Sequence, residues 1–129
     1  MATDTRRLLE QLQRPLAADN PRLGIVLAAG HGKRIRSATS KMLHEIWGRS
    51  TVQRVADAVA KGVESPNQVI VVGIKGEEVA RTLDAREGRS FAYQESPVLG
   101  LPGGTGDAVR VALEQFDSGD RTVYVFPGD

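Results

Sequence analysis

The chain has 129 residues, 17 Lys and Arg against 16 Asp and Glu, two histidines and no cysteine. With 40% hydrophobic and 26% charged residues, this is the composition of a small globular domain able to bury a core, not of a disordered chain. The missing cysteine excludes disulfide scaffolds, thiolate metal sites and cysteine nucleophiles, and two histidines cannot build a three-histidine centre, so a bound metal is expected to be a hard cation on oxygen ligands. A net charge of +1 lacks the basic surface of a nucleic-acid binder. The longest apolar runs, 25–29 and 69–72, fall far short of the roughly 18 residues that span a membrane. Arg6 and Arg7 are followed by Leu-Leu-Glu-Gln, which lacks the apolar stretch of a secretory signal. A cytoplasmic protein without nucleic-acid or membrane partners is therefore expected. Glycine is in excess, 14 of 129 residues, where an average chain carries roughly 7%.

Residues 4–13 place Leu8, Leu9 and Leu12 at helical spacing before Pro15, so residues 1–22 read as an N-terminal helical extension, packing as a lid or arm. The domain proper starts at residue 23. Residues 23–29 form an apolar run without polar alternation, the pattern of a strand buried on both faces. Residues 51–61 put Val52, Val55, Ala56 and Val59 on one helical stripe, with Gly62 as the stop. A second buried strand follows at 68–74, a helix at 77–85, a strand at 90–94, a helix at 106–116 and a strand at 121–126. The stretch 96–106 is a loop rich in Gly and Pro. Strands alternating with helices imply right-handed crossovers and an α/β fold, a mostly parallel sheet with helices on both faces. Ligands of such sheets sit at the carboxyl ends of the strands, here the loops after Ala29, Ile74, Gln94 and Phe126.

The most informative stretch is LAAGHGKRIRSATSKMLHEIWG, residues 27–48: a buried strand running into a glycine loop with several cations. A Walker loop needs Gly where Leu27 stands and a hydroxyl residue where Arg34 stands. The dinucleotide fingerprint needs a third glycine where Ile35 stands, and an acidic residue near Ile74 and Lys75. Both fail. Glycines still let backbone N–H groups approach an anion while Arg34 and Lys41 supply charge; a tight turn with solvated cations reads the same residues as well.

The surrounding residues separate these readings. AAG-x-G-x-R followed seven residues later by Lys resembles the signature of sugar-phosphate nucleotidyltransferases, and more narrowly the opening of N-acetylglucosamine-1-phosphate uridylyltransferases. Gln94 closing a strand, Gly104-Thr105-Gly106-Asp107-Ala108 opening a helix, and Gly128-Asp129 after the last strand fall in the family's order, so the likeness spans residues 23–129. It implies a Rossmann-like, glycosyltransferase-A-like nucleotidyltransferase fold of which this chain carries the N-terminal half, truncated before the second metal ligand and most of the sugar pocket.

The resemblance also implies roles. Leu27, Ala28, Ala29, Gly30 and Gly32 cradle the nucleotide, Gln94 reads the base edge, and Gly104 and Thr105 contact the base. Thr105 is equally suited to be a helix cap. Arg34 and Lys41 are the catalytic phosphate cations, and Asp129 is a ligand of Mg²⁺. The implied substrates are a nucleoside triphosphate, UTP by the narrower likeness, and a sugar-1-phosphate, giving UDP-N-acetylglucosamine and pyrophosphate. A non-catalytic nucleotide-binding module, or a cytidylyl- or guanylyl-transferring relative, would keep the same loop. The chain departs from the family at Lys33 for the usual Thr, Ser40 for the usual Pro, Pro127 before Gly-Asp, and a longer segment between Gln94 and Gly104. His31 and His44 read as polar loop residues. Ending at Asp129, the 129-residue chain is expected to show negligible turnover and to leave its last strand edge open to self-association.

Overall fold

The computed structural model describes residues 2–29, 45–46, 48–73, 76–94, 105–115 and 121–128. In chain order these form α1 (Ala2–Leu12), β1 (Arg22–Ala28), β2 (Glu45–Ile46), β3 (Arg49–Ser50), α2 (Thr51–Val63), β4 (Gln68–Val72), α3 (Gly76–Leu83), β5 (Arg89–Tyr93), α4 (Thr105–Gln115) and β6 (Thr122–Pro127). Four strands make one parallel sheet in the order β5-β4-β1-β6, and β2 and β3 form a separate antiparallel pair.

Given this order, crossover handedness sets which face each helix covers. Right-handed connections from β1 to β4 and from β4 to β5 move the chain one way and place α2 and α3 on one face; the step back past β1 to β6 must place α4 on the other. The strand residues alternate accordingly. Val26, Ala28, Ile70, Val72 and Phe91 pack with α1, α2 and α3 around Leu9, Val52, Ala56, Val59 and Val79. Leu23, Ile25, Val69, Val71 and Ala92 pack on Ala108, Val111 and Ala112 of α4. Two cores, one per face, explain why β1 and β4 are apolar at nearly every position.

Several expectations change. α2 does not stop at Gly62: that residue lies inside the helix, and the chain turns at Glu64, which takes a left-handed conformation (φ 58°) while its N–H bonds to the Ala60 carbonyl. At its start Ser50 and Gln53 form a reciprocal capping box, so both helix ends are closed by non-glycine residues. The β2–β3 hairpin, with Gly48 at φ 76°, was not expected; two-residue strands are too short to show a period.

Nor is the N-terminal segment a lid or arm. Leu9 is part of the core, and the residues after α1 cover the outer edge of β5. The Gln13 side-chain amide donates to the Phe91 carbonyl (2.7 Å) and accepts from the Phe91 N–H (2.9 Å), as a neighbouring strand would. The Arg14 N–H donates to the Arg89 carbonyl (3.1 Å), and the Ser90 hydroxyl donates to the Arg14 carbonyl (2.9 Å). Gln115 repeats the amide pairing at Tyr93 (3.1 and 3.3 Å). These groups occupy backbone positions that would otherwise template intermolecular pairing. β6, at the other edge, leaves Tyr124 and Val125 exposed (37% and 42%).

At the amino ends of β4 and β5, Arg89 is buried (3% exposed). Its Nε donates to Gln68 Oε1 (2.8 Å), and its Nη1 donates to the carbonyls of Leu83 (2.8 Å) and Asp84 (3.3 Å) at the end of α3. Beside it Asp57 takes ion pairs from Arg49 and Arg86.

Candidate nucleotide site

The sheet reverses direction at β1, which has β4 on one side and β6, reached after α4, on the other. In open α/β sheets ligands bind outside the carboxyl ends of the strands at such a switch, which here are the ends of β1 and β6. Leu27 and Ala28 form the end of β1, with Ala28 buried and Leu27 half-buried, and Ala29 follows. The Gly128 N–H donates to the Leu27 carbonyl (2.8 Å), carrying the β6 pairing one residue past the strand. At the end of β4, a Cβ on Gly73 would lie 3.0 Å from the Ala29 carbonyl oxygen and 3.3 Å from its Cβ, so glycine lets these two strand ends approach. The Gln94 N–H continues the β5 ladder onto the Val72 carbonyl (2.8 Å).

Gln94 is buried at this edge (8% exposed), and its side chain reaches α4. Gln94 Nε2 donates to Asp107 Oδ2 (2.8 Å), while Arg110 Nε and Nη2 donate to Asp107 Oδ1 (2.9 and 2.5 Å) and Arg110 Nη1 donates to Glu114 Oε2 (2.7 Å). The Gln94 and Arg110 hydrogen bonds hold the Asp107 carboxyl below its ordinary pKa, and Asp107 and Glu114 raise that of Arg110. At neutral pH the carboxylate is an acceptor only.

Of the residues singled out from sequence, Leu27, Ala28, Ala29 and Gln94 lie at the carboxyl edge of the sheet, and Thr105 begins α4. Gly30, Gly32, Arg34, Lys41, Gly104 and Asp129 lie outside the described residues, as do His31, Lys33, Ser40 and His44. Among the described residues there is no group of three or more His, Asp or Glu side chains placed to hold a metal. Asp107 was not singled out from sequence, although the Gly-Thr-Gly-Asp spacing sets it in the first turn of the helix that opens beside the proposed base contacts.

Residues 24–129 match the family described as the MobA-like NTP transferase domain. The chain belongs to that family. It is 38% identical over 105 residues to the bifunctional protein GlmU of Caldicellulosiruptor saccharolyticus, covering 81% of this chain and 21% of that protein. It is 40% identical over 115 residues to the bifunctional protein GlmU of Streptomyces griseus, covering 88% of this chain and 23% of that one. The chain thus spans about a fifth of the length of these relatives. Among solved structures, the Mycobacterium tuberculosis Rv0371c homologue from Mycobacterium sp. strain JC1 superposes with a TM-score of 0.65 at 21% identity, over 84% of this chain and 51% of that one. Rv0371c of M. tuberculosis itself gives 0.62 at 24% identity, over 88% and 54%. These two likenesses concern the fold alone.

No helix among the described residues is long and apolar enough to cross a membrane.

Proposed function

We propose that this NTP transferase domain forms a nucleotide-sugar and pyrophosphate from a nucleoside triphosphate and a sugar-1-phosphate, with UTP and N-acetylglucosamine-1-phosphate as its substrates. The observation that supports the reading is the end of β1. This inner strand, which the sequence continues into the glycine loop, ends at the switch in strand order, where the Leu27–Gly128 hydrogen bond holds the end of β6 alongside it.

In this reading a phosphate oxygen of the sugar-1-phosphate attacks the α-phosphorus. A P–O bond to the sugar phosphate forms as the bond to the bridging oxygen breaks, and pyrophosphate leaves in line. Arg34 holds the triphosphate with a guanidinium fork that stays charged throughout, and Lys41 meets the α-phosphate or the incoming phosphate as a point charge. Gly30 and Gly32 bring backbone N–H groups to the phosphates, Leu27, Ala28 and Ala29 seat the nucleoside, and Gln94, Gly104 and Thr105 meet the base. No side-chain nucleophile is needed; positioning and charge stabilisation supply the rate. Asp129, a carboxylate directly after Gly128 in the sequence, would hold Mg²⁺, a hard cation that takes oxygen donors, and the ion would supply charge neutralisation on the phosphates.

The exposed Tyr124 and Val125 of β6 favour self-association as a property of the isolated chain, and a cytoplasmic location accords with sugar-phosphate substrates. The deciding measurement is Mg²⁺-dependent pyrophosphate release by the full-length gene product from UTP, CTP or GTP with a panel of sugar-1-phosphates. Release that requires both substrates and falls by a factor of 100 or so in Arg34→Ala is expected on the scale of a lost transition-state contact. Release from no pair of substrates overturns the catalytic reading. UTP binding without turnover, indifferent to Arg34→Ala, favours a non-catalytic nucleotide-binding module.

A further inference from the structure

The Gln94 side chain is ambiguous in principle. A primary amide has a donor end and an acceptor end of nearly the same shape, and turning it over exchanges one hydrogen-bond pattern for its inverse. Uracil offers N–H at ring position 3 beside a carbonyl; cytosine offers a bare ring nitrogen beside an amino group. A freely turning glutamine reads either base equally well.

Here the amide does not turn freely. Asp107 Oδ2 lies 2.8 Å from Gln94 Nε2, and an ionised carboxylate only accepts, so this contact admits the amide nitrogen and rejects the carbonyl. Reversing Gln94 would put two oxygen acceptors at hydrogen-bond distance, a repulsive arrangement in a place where both side chains are 8% exposed. The carboxylate is itself fixed. Arg110 engages Oδ1 through two nitrogens and is tied one turn further along α4 to Glu114, which leaves Oδ2 directed at Gln94.

We infer that Asp107 is a positioning residue that locks the polarity of the Gln94 amide and thereby sets the nucleobase preference, favouring a base edge with a ring N–H, as in uracil, over one with a ring acceptor, as in cytosine. The inference rests on the proposed reading that Gln94 faces the base.

The test is calorimetric titration of UTP and CTP into the wild-type protein and into Asp107→Ala, Asp107→Asn and Gln94→Ala. Asp107→Ala lets the amide turn, so UTP affinity falls, CTP affinity rises, and the UTP-to-CTP preference drops about tenfold, the scale of one net hydrogen bond. Asp107→Asn is nearly isosteric and presents a donor as well as an acceptor, so its preference falls between those of the wild type and the alanine variant; it also guards against an alanine variant that folds poorly. A loss shared equally by both nucleotides, leaving the preference unchanged, is what a merely structural role produces and overturns the inference. In that case Gln94→Ala still weakens UTP binding if the base-reading assignment holds. If Gln94→Ala leaves UTP binding untouched, that assignment fails and this inference fails with it.

Discussion

Gly24 sits within β1 directly under α2, and replacing it with alanine tests how firmly that helix is seated. The added Cβ would lie 2.6 Å from Val59 Cγ1, with the next neighbour, the Asn67 carbonyl oxygen, at 3.9 Å. Carbon atoms in contact stand about 3.5–4.0 Å apart, so the overlap is about 1 Å and falls on one atom. Val59 is buried (4% exposed) and, being β-branched in a helix, has essentially one rotamer available. The helix cannot simply lift. Gln68 Nε2 donates to the Ala56 carbonyl (3.1 Å), Arg22 Nη1 to the Val63 carbonyl (3.1 Å), and Gln53 Nε2 to the Thr82 carbonyl (3.2 Å).

Gly24→Ala should therefore cost about 1–3 kcal/mol by overpacking, set against about 0.5–1 kcal/mol gained from the lower chain entropy of alanine. Val59→Ala alone removes two methyl groups at about 0.8 kcal/mol each, close to 2 kcal/mol once the cavity is included. In the double variant the new methyl fills part of the vacated space, and its destabilisation should fall short of the sum by about 1–2 kcal/mol. Urea unfolding followed by circular dichroism on the four proteins, with m constant, measures the cycle. Additivity within about 0.5 kcal/mol would show that the two positions are not in steric conflict and refute the reasoning.

Arg89→Met should destabilise the fold by about 3–5 kcal/mol, because Gln68 Oε1 and the Leu83 and Asp84 carbonyls all lose their donor; a loss under 1 kcal/mol in denaturant unfolding would contradict this. Burial and the neighbouring Arg86 push the Arg89 guanidinium down to about 10, with Asp84 opposing, so it stays charged at neutral pH and the methionine variant removes a charge as well as a fork of donors. Asp107 is held below its ordinary value of 3.8, so the unfolded chain binds its proton first. Its contribution is complete above that value and is lost as pH falls through the lower folded value. The stability gap between wild type and Asp107→Asn should accordingly be flat from about pH 5 to 8 and close below about pH 3.8, and a gap that persists unchanged at pH 2.5 would count against it. Val125→Lys on the exposed side of β6 should reduce any concentration-dependent association seen by analytical ultracentrifugation, with no effect on the monomer's unfolding midpoint beyond about 0.5 kcal/mol.

The elements around the sheet could be read from sequence because burial on both faces leaves a continuous apolar signal. β1 and β4 begin within a residue of where their hydrophobic runs begin, and the strand-helix alternation was enough to put the loops after Ala29 and Gln94 at the carboxyl edge, whereas Leu27, Ala28 and Thr105 were singled out only through the family resemblance. What escaped is tertiary. Gln13 acts as a stand-in strand partner for Phe91, 78 residues away, and nothing local to a polar residue after a helix announces it. α2 passes through the glycine that should have ended it because Gly62 is exposed there and the left-handed turn was available at Glu64. Asp107 escaped for a related reason: an acidic residue in the first turn of a helix is explained by the helix dipole, which hides a contact made 13 residues back in the chain.

The place of β6 in the sheet has a consequence for assembly. β1, β4 and β5 pair with neighbours in chain order, whereas the β6 region is anchored through Arg121 to the carbonyls of Asn20 and Ala17, 101 and 104 residues away. Contacts of such long range form slowly and late, so the three-stranded part should order first and β6 should dock last. Its amides should then be the earliest of the sheet to exchange with deuterium, through openings smaller than global unfolding. The Leu27–Gly128 bond should form only in that final step, and a ligand bridging the ends of β1 and β6, as the proposed function requires, would draw the docking equilibrium forward by mass action.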